Sequence, residues 1–230
     1  YLRALRPLYS FVVVASNSPL TASDRRTLDR LADLVFVRPN RGYDFSAWKE
    51  SFDRCGWSAL ASFESVTIAN DTCFGPLRPI DQLFAAMENR SCDFWGITAH
   101  PQTGKIPFHL QTYFVVFSQP VVSSPQFKRF WSEVRPQHSV NNVIRRYEIQ
   151  LTQLLVQAGF RSSVACEPLV DYGRFPNPAT WQPAAVLLAG SPFLKVKSLL
   201  LSPAPRALIR MVEEGRYYDT TLITDHIRRQ

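Results

Sequence analysis

Residues 11–37 read FVVVASNSPLTASDRRTLDRLADLVFV, and this stretch decides the fold. The β-branched run at residues 11–15 predicts a strand, and Leu34–Val37 predicts a second one. Between them, Thr21 and Asp24 have the spacing of a capping box, which indicates a short helix. A strand, a helix and a strand in so short a stretch predict a βαβ unit with parallel strands.

The alternation of strand and helix patterns continues along the chain. Ser65–Ala69 is typical of a third strand, and a helix face follows at Ile80, Leu83, Phe84 and Met87. Further strands are expected at residues 93–98 and 113–117, and further helices at 125–131, 143–158 and 205–214. After residue 160 the chain is expected to be irregular because prolines are frequent, at Pro168, Pro176, Pro178, Pro183 and Pro192. The fold class is therefore α/β, with a mixed, mostly parallel sheet flanked by helices.

The composition is that of a globular protein. With 230 residues, 46% of them hydrophobic and 20% charged, the chain suits one sizeable domain. No apolar run approaches the roughly 20 residues that span a bilayer. The four cysteines lack CxxC or metal-site spacing, so buried, reduced thiols and a cytoplasmic location are expected. Because the first residue is not methionine, we interpret the chain as part of a longer protein.

The net charge is +7, and 21 of the 26 basic residues are arginine. Arginine suits bidentate contacts with phosphate, although a high-GC genome would give the same excess without a function. The basic residues are scattered and no nucleic-acid-binding motif is present, so nucleic acid is not an expected partner. Weak contact with an anionic membrane surface stays open.

Polar residues follow three successive predicted strands. Asn17 follows the first, residues 40–44 follow the second, and Asn70 with Asp71 follow the third. In an open α/β sheet, ligands bind at the carboxyl ends of the strands. Turns also favour Asn, Asp and Gly, so each segment alone has a structural explanation. Three of them at one sheet edge favour a binding site.

The residue types suit a nucleotide-sugar diphosphate. Gly42 would let the backbone approach a ligand, and Arg41 and Lys49 would offset the phosphate charge. Asp44 and Asn17 would bind the base or ribose, and Asn40 and Asn70 are further candidates for the donor site. Asp71 would hold Mg²⁺ or Mn²⁺ or bind the donor sugar, and a single carboxylate leaves the need for a metal open.

Glu148 is the first candidate for the catalytic base, and Asp71 is the second. Glu148 lies at the edge of the apolar stripe of the helix expected at residues 143–158, where partial burial suits a group that accepts a hydroxyl proton. A structural ion pair with Arg145 or Arg146 would explain the same position, as would a side chain at the rim of the stripe that extends its carboxylate into solvent.

Three further residues are candidates for the acceptor side. His109 and Gln111 share one face of the chain before a strand, and would line the acceptor site or satisfy a loop. Trp95 lies in an apolar strand, and would stack on a sugar or belong to the core.

Several blocks in order resemble the rhamnan synthesis protein F (RgpF) family. They are residues 40–45 (NRGYDF), 70–72 (NDT) followed by Gly75-Pro76, 93–96 (DFWG), 109–114 (HLQTYF), 146–148 (RYE) and 192–195 (PFLK). The resemblance extends from about residue 11 to about residue 200. It implies a GT-A-like, Rossmann-related fold, in which residues 1–120 bind the nucleotide sugar and residues 121–230 form the acceptor and catalytic half. Lys195, in the last block, joins Arg41 and Lys49 as a cation for the diphosphate.

The resemblance implies a rhamnosyltransferase that uses dTDP-L-rhamnose or GDP-D-rhamnose, and we interpret the transfer as inverting. Its acceptor would be a lipid-linked or oligosaccharide chain of a surface polysaccharide such as O-antigen, and other glycosyltransferase modules would be its partners. Such enzymes commonly carry an Asp-x-Asp motif, whose first position here is Asn70, so the metal requirement stays open. The alternative is a non-catalytic carbohydrate-binding or assembly module. A nucleotidyltransferase is disfavoured because residues 16–19 (SNSP) form no glycine-rich phosphate loop.

Overall fold

The computed structural model describes residues 1–170 and 177–229, which form a mixed α/β fold. The strands are β1 (Val13–Ser16), β2 (Leu34–Val37), β3 (Ser65–Ala69), β4 (Cys73–Phe74), β5 (Phe94–Gly96), β6 (Ala99–His100), β7 (His109–Leu110), β8 (Phe114–Ser118), β9 (Ser162–Val164) and β10 (Leu194–Lys195).

The helices of the first half are α1 (Leu2–Leu5), α2 (Ala22–Asp29), α3 (Tyr43–Cys55), α4 (Trp57–Leu60), α5 (Ile80–Glu88) and α6 (Gln119–Ser123). Those of the second half are α7 (Pro125–Glu133), α8 (Val140–Val143), α9 (Ile149–Gln157), α10 (Pro178–Trp181), α11 (Pro183–Leu188), α12 (Val196–Leu201), α13 (Pro205–Glu214) and α14 (Thr221–Arg228). A 3-10 turn covers Arg6–Leu8, and a π-helical turn covers Ile144–Glu148 between α8 and α9.

The βαβ unit predicted from residues 11–37 is confirmed. β1 and β2 pair in parallel, from Val13 opposite Leu34 to Ser16 opposite Val37. The helix between them begins with the predicted capping box, in which the Asp24 amide donates to Thr21 Oγ1 and the Thr21 amide donates to the Asp24 carboxylate. These two bonds satisfy N–H groups that the first turn of a helix leaves free.

The main sheet differs from the expected one. Its strand order is β3-β8-β5-β9, and β8 runs antiparallel to both of its neighbours while β9 is parallel to β5. The expectation of a mostly parallel sheet is therefore wrong, because most neighbouring pairs in this sheet are antiparallel. The cause is the path of the chain after β5, which reverses through β6 and β7 and inserts β8 between β3 and β5.

The expectation of a single sheet edge is also wrong. Within the described ranges, β1 and β2 form a two-stranded sheet of their own and are not hydrogen-bonded to β3. A further pair, β4 and β10, places Lys195 opposite Cys73 in an antiparallel register. The polar segments after β1 and β3 therefore meet across a gap between two sheets.

An aromatic cluster holds α3 against α7 and the π-helical turn. The Phe45 ring, 1% exposed, has its centroid 5.6 Å from that of Trp131 and 5.4 Å from that of Tyr147. Such aromatic pairs contribute about 0.5–1.5 kcal/mol beyond the burial of their area. The cluster fixes the start of α3 relative to the π-helical turn.

The chain after residue 160 is more regular than its prolines indicate. Pro178 and Pro183 occupy the first turns of α10 and α11, where the missing N–H has no helical partner to lose. Pro176 lies outside the described residues. In the described part of the chain, no helix is both long enough and apolar enough to cross a membrane.

Candidate functional site

A cleft of about 880 Å³ lies between β1 and β3, and we call it the strand-end cleft. Its walls are mainly apolar and include residues 12–15 of the first strand region and Trp48 of α3. Its polar residues include Asn17, Asp44, Asn70 and Asp71, which follow β1 and β3 or begin α3, and the cations Arg3 and Arg6 of the N-terminal segment also line it. Four of the residues predicted for the donor or metal site therefore line one cleft, although their strands belong to two sheets.

Asn70 connects the end of β3 to the first turn of α3. Its side-chain amide donates to the Asp44 carboxylate, with 2.9 Å between Nδ2 and Oδ2. Its Oδ1 atom accepts from the amide of Thr72 at 3.2 Å and from the Thr72 hydroxyl at 2.6 Å. Both ends of the Asn70 side chain are therefore used in holding the turn together.

Burial raises the pKa of Asp44, the hydrogen bond from Asn70 opposes this shift, and the charges of Asp71 and Glu148 raise the pKa further. Asp71 and Glu148 are thus both close enough for their charges to act on Asp44. The negative charge around Asp44 favours the binding of sugar or ribose hydroxyls, or of a cation. It disfavours the binding of a phosphate group that has no counter-ion.

Arg38 orders the turn after β2, and its side chain is only 6% exposed. It donates to Asn17 Oδ1 at 2.5 Å, to the Arg41 carbonyl at 2.8 Å and to Glu50 at 3.1 Å. The sequence interpretation missed Arg38. Its only signal was its place at the end of a buried strand, directly before the polar turn at residues 39–44.

Glu148 ends the π-helical turn and has an 18% exposed side chain. Its Oε2 atom accepts from the amide of Thr112 at 2.9 Å and from the Thr112 hydroxyl at 2.5 Å. The ion pair that offered an alternative explanation does not form with Arg145, which donates to Asn142 instead. π-Helical turns are rare and frequently occur at functional sites. Thr112 was not singled out from the sequence, since a threonine before a strand carries no distinctive signal.

Lys195 approaches the same region from β10. Its ammonium group lies 4.7 Å from the centroid of the Tyr113 ring, a cation–π distance. Burial lowers the pKa of Lys195, while Cys73 and the negative charge of Glu148 act in the opposite direction. Lys195 is therefore a partly desolvated cation within electrostatic reach of Glu148.

The other predicted donor residues lie elsewhere. Asn40, Arg41 and Gly42 line a second pocket of about 520 Å³ with Tyr43 and residues 136–138. Lys49 pairs with Asp53 one helical turn away and does not line the strand-end cleft.

The conformation of Gly42 explains its residue type without a ligand. Its φ is +78°, and an added Cβ would collide with Ser46 Oγ and lie 2.6 Å from Pro136 Cα. The packing of the protein on Pro136 is therefore sufficient to require glycine here.

The three predicted acceptor residues are buried. Trp95 is 7% exposed and packs against Phe84 and Phe114, so its position is that of the core residue given as the alternative. Gln111 is 3% exposed; its Oε1 accepts from Thr98 and its amide donates to Asn177. His109, also 3% exposed, has its Nδ1 atom 2.9 Å from the Pro107 carbonyl. These side chains support the site from behind and present little surface to an acceptor.

The residues fit a divalent ion only in part. In residues 1–170 and 177–229, no three His, Cys, Asp or Glu side chains form a group that could hold a metal ion. Asp71 is exposed, whereas the Asn70 amide beside it is bonded to Asp44. Mg²⁺ commonly uses one or two carboxylates together with phosphate oxygens and waters. Asp71 alone could therefore supply at most one of the ligands that such an ion needs.

The fold and cleft define a mixed α/β protein with a polar, partly acidic site beside its strand ends. Residues 12–230 match the family described as "Rhamnan synthesis protein F" (RgpF), and the chain belongs to this family. The predicted resemblance is thus confirmed, over a longer part of the chain than expected.

One relative comes from Sinorhizobium fredii (strain NBRC 101917 / NGR234) and carries the name "Uncharacterized protein y4gN". The two chains are 31% identical over 160 residues, which cover 68% of this chain and 41% of the relative. The chain therefore spans less than half the length of that relative. No solved structure matches the chain.

Proposed function

We propose that this chain is a glycosyltransferase domain that moves a rhamnosyl residue from a nucleotide donor to a growing bacterial surface polysaccharide, with inversion at the anomeric carbon. The donor is dTDP-L-rhamnose in the first instance and GDP-D-rhamnose in the second. Membership of the rhamnan synthesis family supports the sugar, and the fold that we propose is GT-A-like.

One observation carries the proposal. Asn17, Asp44, Asn70 and Asp71 line the polar end of one cleft, and Glu148 is close enough for its charge to raise the pKa of Asp44. A glycosyl transfer needs donor-binding groups of this kind beside a carboxylate that can accept a proton. A purely structural set of turn residues would not require a further carboxylate within electrostatic range of Asp44.

In the proposed reaction, the acceptor hydroxyl loses its proton to Glu148 while its oxygen forms a bond to the anomeric carbon. The bond from that carbon to the diphosphate oxygen breaks on the opposite face, and the electron pair leaves with the nucleoside diphosphate. The Thr112 amide and hydroxyl hold Oε2 of Glu148, so Oε1 is the oxygen available for the proton. Asp71 is the second candidate for the base.

Negative charge grows on the diphosphate as it leaves, and a nearby cation would stabilise it. Lys195 would supply that cation, because it lies within electrostatic range of Glu148. Arg41 lies in the second pocket and Lys49 is paired with Asp53, so both contribute less directly. A divalent ion held by Asp71 would neutralise part of the same charge.

The acceptor that we propose is a lipid-linked or oligosaccharide chain, at the inner face of the cytoplasmic membrane. Residues 1–120 would supply most donor contacts, and residues 121–230 would supply the base and the acceptor side. Other glycosyltransferase modules would work with this one. The alternative is a module that binds carbohydrate or organises assembly without catalysis.

A thermal-shift panel of the two rhamnose nucleotides, with and without Mn²⁺, tests donor binding and metal use together. Stabilisation by one donor is expected, and a further shift with Mn²⁺ would indicate the metal. Lack of any shift, together with lack of donor hydrolysis, would favour the non-catalytic module.

Glu148→Ala tests the base. We expect transfer to fall by about 10²–10⁴-fold with donor affinity preserved, because the proton would lose its acceptor. The matched control is Glu88→Ala on the exposed side of α5, which should leave transfer unchanged. A folded Glu148→Ala protein with near-full transfer would contradict the assignment.

A further inference from the structure

His109 faces Glu148 with a defined ring nitrogen. Its Nδ1 atom lies 2.9 Å from the Pro107 carbonyl oxygen, and a carbonyl can only accept, so Nδ1 carries a proton. In the neutral ring, Nε2 is then a bare acceptor. This atom lies 3.9 Å from Oε1 of Glu148.

The two oxygens of Glu148 have different surroundings. Oε2 accepts two hydrogen bonds from Thr112, whereas Oε1 faces His109 Nε2. Two acceptors with no proton between them do not form a hydrogen bond, and a 3.9 Å separation agrees with that. A proton placed on Oε1 would turn the pair into a donor and an acceptor about 1 Å from hydrogen-bond distance.

We propose that His109 is a positioning residue that acts through Glu148, accepting a hydrogen bond from Oε1 when Glu148 has taken the acceptor proton. This inference rests on the proposed function, in which Glu148 is the base. The proton passes from the acceptor hydroxyl to Oε1 and stays there, hydrogen-bonded to Nε2, until product release lets it return to water. Stabilising the protonated carboxyl strengthens Glu148 as a base.

The other groups around the pair are consistent with a neutral His109. The His100 ring stacks on it, with centroids 4.9 Å apart and an interplanar angle of 11°. Burial lowers the pKa of His109; the Pro107 hydrogen bond and Glu148 oppose this shift, and His100 adds to it. Two further charged groups interact electrostatically with Glu148 from other elements: Lys195 from β10 and Asp44 from α3.

Histidine NMR tests the tautomer without any substrate. The sequence has only four histidines, so His109→Asn identifies the signal by its loss. At neutral pH we expect a protonated Nδ1 and a bare Nε2, and Glu148→Gln should move the His109 titration to lower pH. A protonated Nε2, or a titration that is unchanged in Glu148→Gln, would overturn the inference.

The second test is the pH dependence of rhamnosyl transfer with the donor that the thermal-shift panel selects. Asparagine keeps a donor for the Pro107 carbonyl and lacks the Nε2 acceptor. His109→Asn should therefore lower the maximal kcat by about 3–10-fold and move the acid limb of the profile to lower pH, with donor Kd unchanged. A merely structural role would leave the acid limb in place.

The matched control is His100→Asn, because the Nδ1 atom of His100 lies 2.7 Å from the Pro101 carbonyl in the same manner. This variant should keep the acid limb of the wild-type protein. If Glu148→Ala retains transfer, the assignment of Glu148 as the base fails and the role of His109 fails with it, whereas the proposed function itself fails only if the wild-type protein neither binds the donor nor transfers the sugar. If Glu148→Ala abolishes transfer and His109→Asn keeps the wild-type profile, only the role of His109 fails.

Discussion

The rings of Phe45 and Tyr147 pack with their centroids 5.4 Å apart, and each is the chain neighbour of a site carboxylate. Asp44 precedes Phe45 at the start of α3, and Glu148 follows Tyr147 at the end of the π-helical turn. The Tyr147 hydroxyl is fixed in turn, because it donates to the Arg135 carbonyl and accepts from the Arg135 amide. Core packing therefore determines how far apart the two carboxylates lie.

Asp44→Asn should stabilise the protein at neutral pH while weakening donor binding. Burial, together with the charges of Asp71 and Glu148, raises the pKa of Asp44 in the folded state above its ordinary 3.8. The cost of ionising this group is therefore absent below about pH 4 and grows as the pH rises through the folded-state pKa. Asparagine keeps an oxygen for the Asn70 amide and carries no charge.

We expect a gain of about 1 kcal/mol at pH 7, or about 2–4 °C in Tm, that disappears below about pH 4. Scanning calorimetry at several pH values measures it. Asp225→Asn, on an exposed part of α14, is the control and should leave Tm nearly unchanged. A variant less stable than the wild type at pH 7 would show that the charge of Asp44 stabilises the fold.

Arg38→Met should cost far more stability than Arg54→Met, although both arginines bind Glu50. The Arg38 side chain is 6% exposed and also holds Asn17, whereas the Arg54 side chain is 46% exposed. We expect losses of about 2–4 kcal/mol for Arg38 and at most about 0.5 kcal/mol for Arg54 in urea unfolding. Equal losses would mean that Arg38 is no more than a surface partner of Glu50.

Gly42→Ala and Gly56→Ala separate steric crowding from backbone strain. Both glycines have positive φ, +78° and +80°, but an added Cβ at Gly56 meets nothing within 4 Å. Gly56, with ψ 140°, lies outside the αL region that Gly42 occupies, and Gly56→Ala should cost about 1–3 kcal/mol from backbone strain alone. Gly42→Ala should cost about 4–5 kcal/mol, because the αL penalty is joined by a collision that Pro136 must move to relieve. Similar free energies of unfolding for the two variants would remove the packing explanation for Gly42.

Thr112→Val should move the acid limb of the transfer profile to higher pH, opposite to the shift for His109→Asn. The hydroxyl of Thr112 donates to the ionised carboxylate of Glu148, and its loss disfavours that form. The hydrogen bond from the backbone amide of Thr112 to Glu148 remains in the variant, so folding should be preserved. Thr112→Ser keeps a hydroxyl and should retain the wild-type profile; a shift with serine as large as that with valine would exclude the hydrogen bond as the cause.

The local elements were largely predictable. The capping box at Thr21 and Asp24 and the apolar spacing of Ile80 to Met87 specify helices through neighbouring residues alone. The order of the strands in the sheet was less predictable, because the insertion of β8 beside β3 depends on contacts between residues far apart in the chain. No local pattern encodes which strand will be the neighbour.

In the candidate site, too, the residues that carry a local signal were predictable and those that depend on distant contacts were not. Asn17, Asp44, Asn70 and Asp71 were found because polar residues after buried strands are a local signal. Arg41 and Lys49 were expected at the cleft because of their charge, but the direction of each side chain is set by packing that the sequence does not display. Thr112 was missed because its role depends on a distant partner: Glu148, to which it donates, lies 36 positions away in the chain.

The π-helical turn at Ile144–Glu148 has a consequence for how such a site arises. A turn of this kind holds one residue more than the α-helix into which it is set, so deletion of one residue would restore a plain helix. Because successive residues of an α-helix differ by about 100° around its axis, that deletion would rotate the preceding turns relative to α9. The carboxylate of Glu148 and the ring of Tyr147 could not then both keep their partners. A one-codon insertion is thus the smallest genetic step between an ordinary helix and this one.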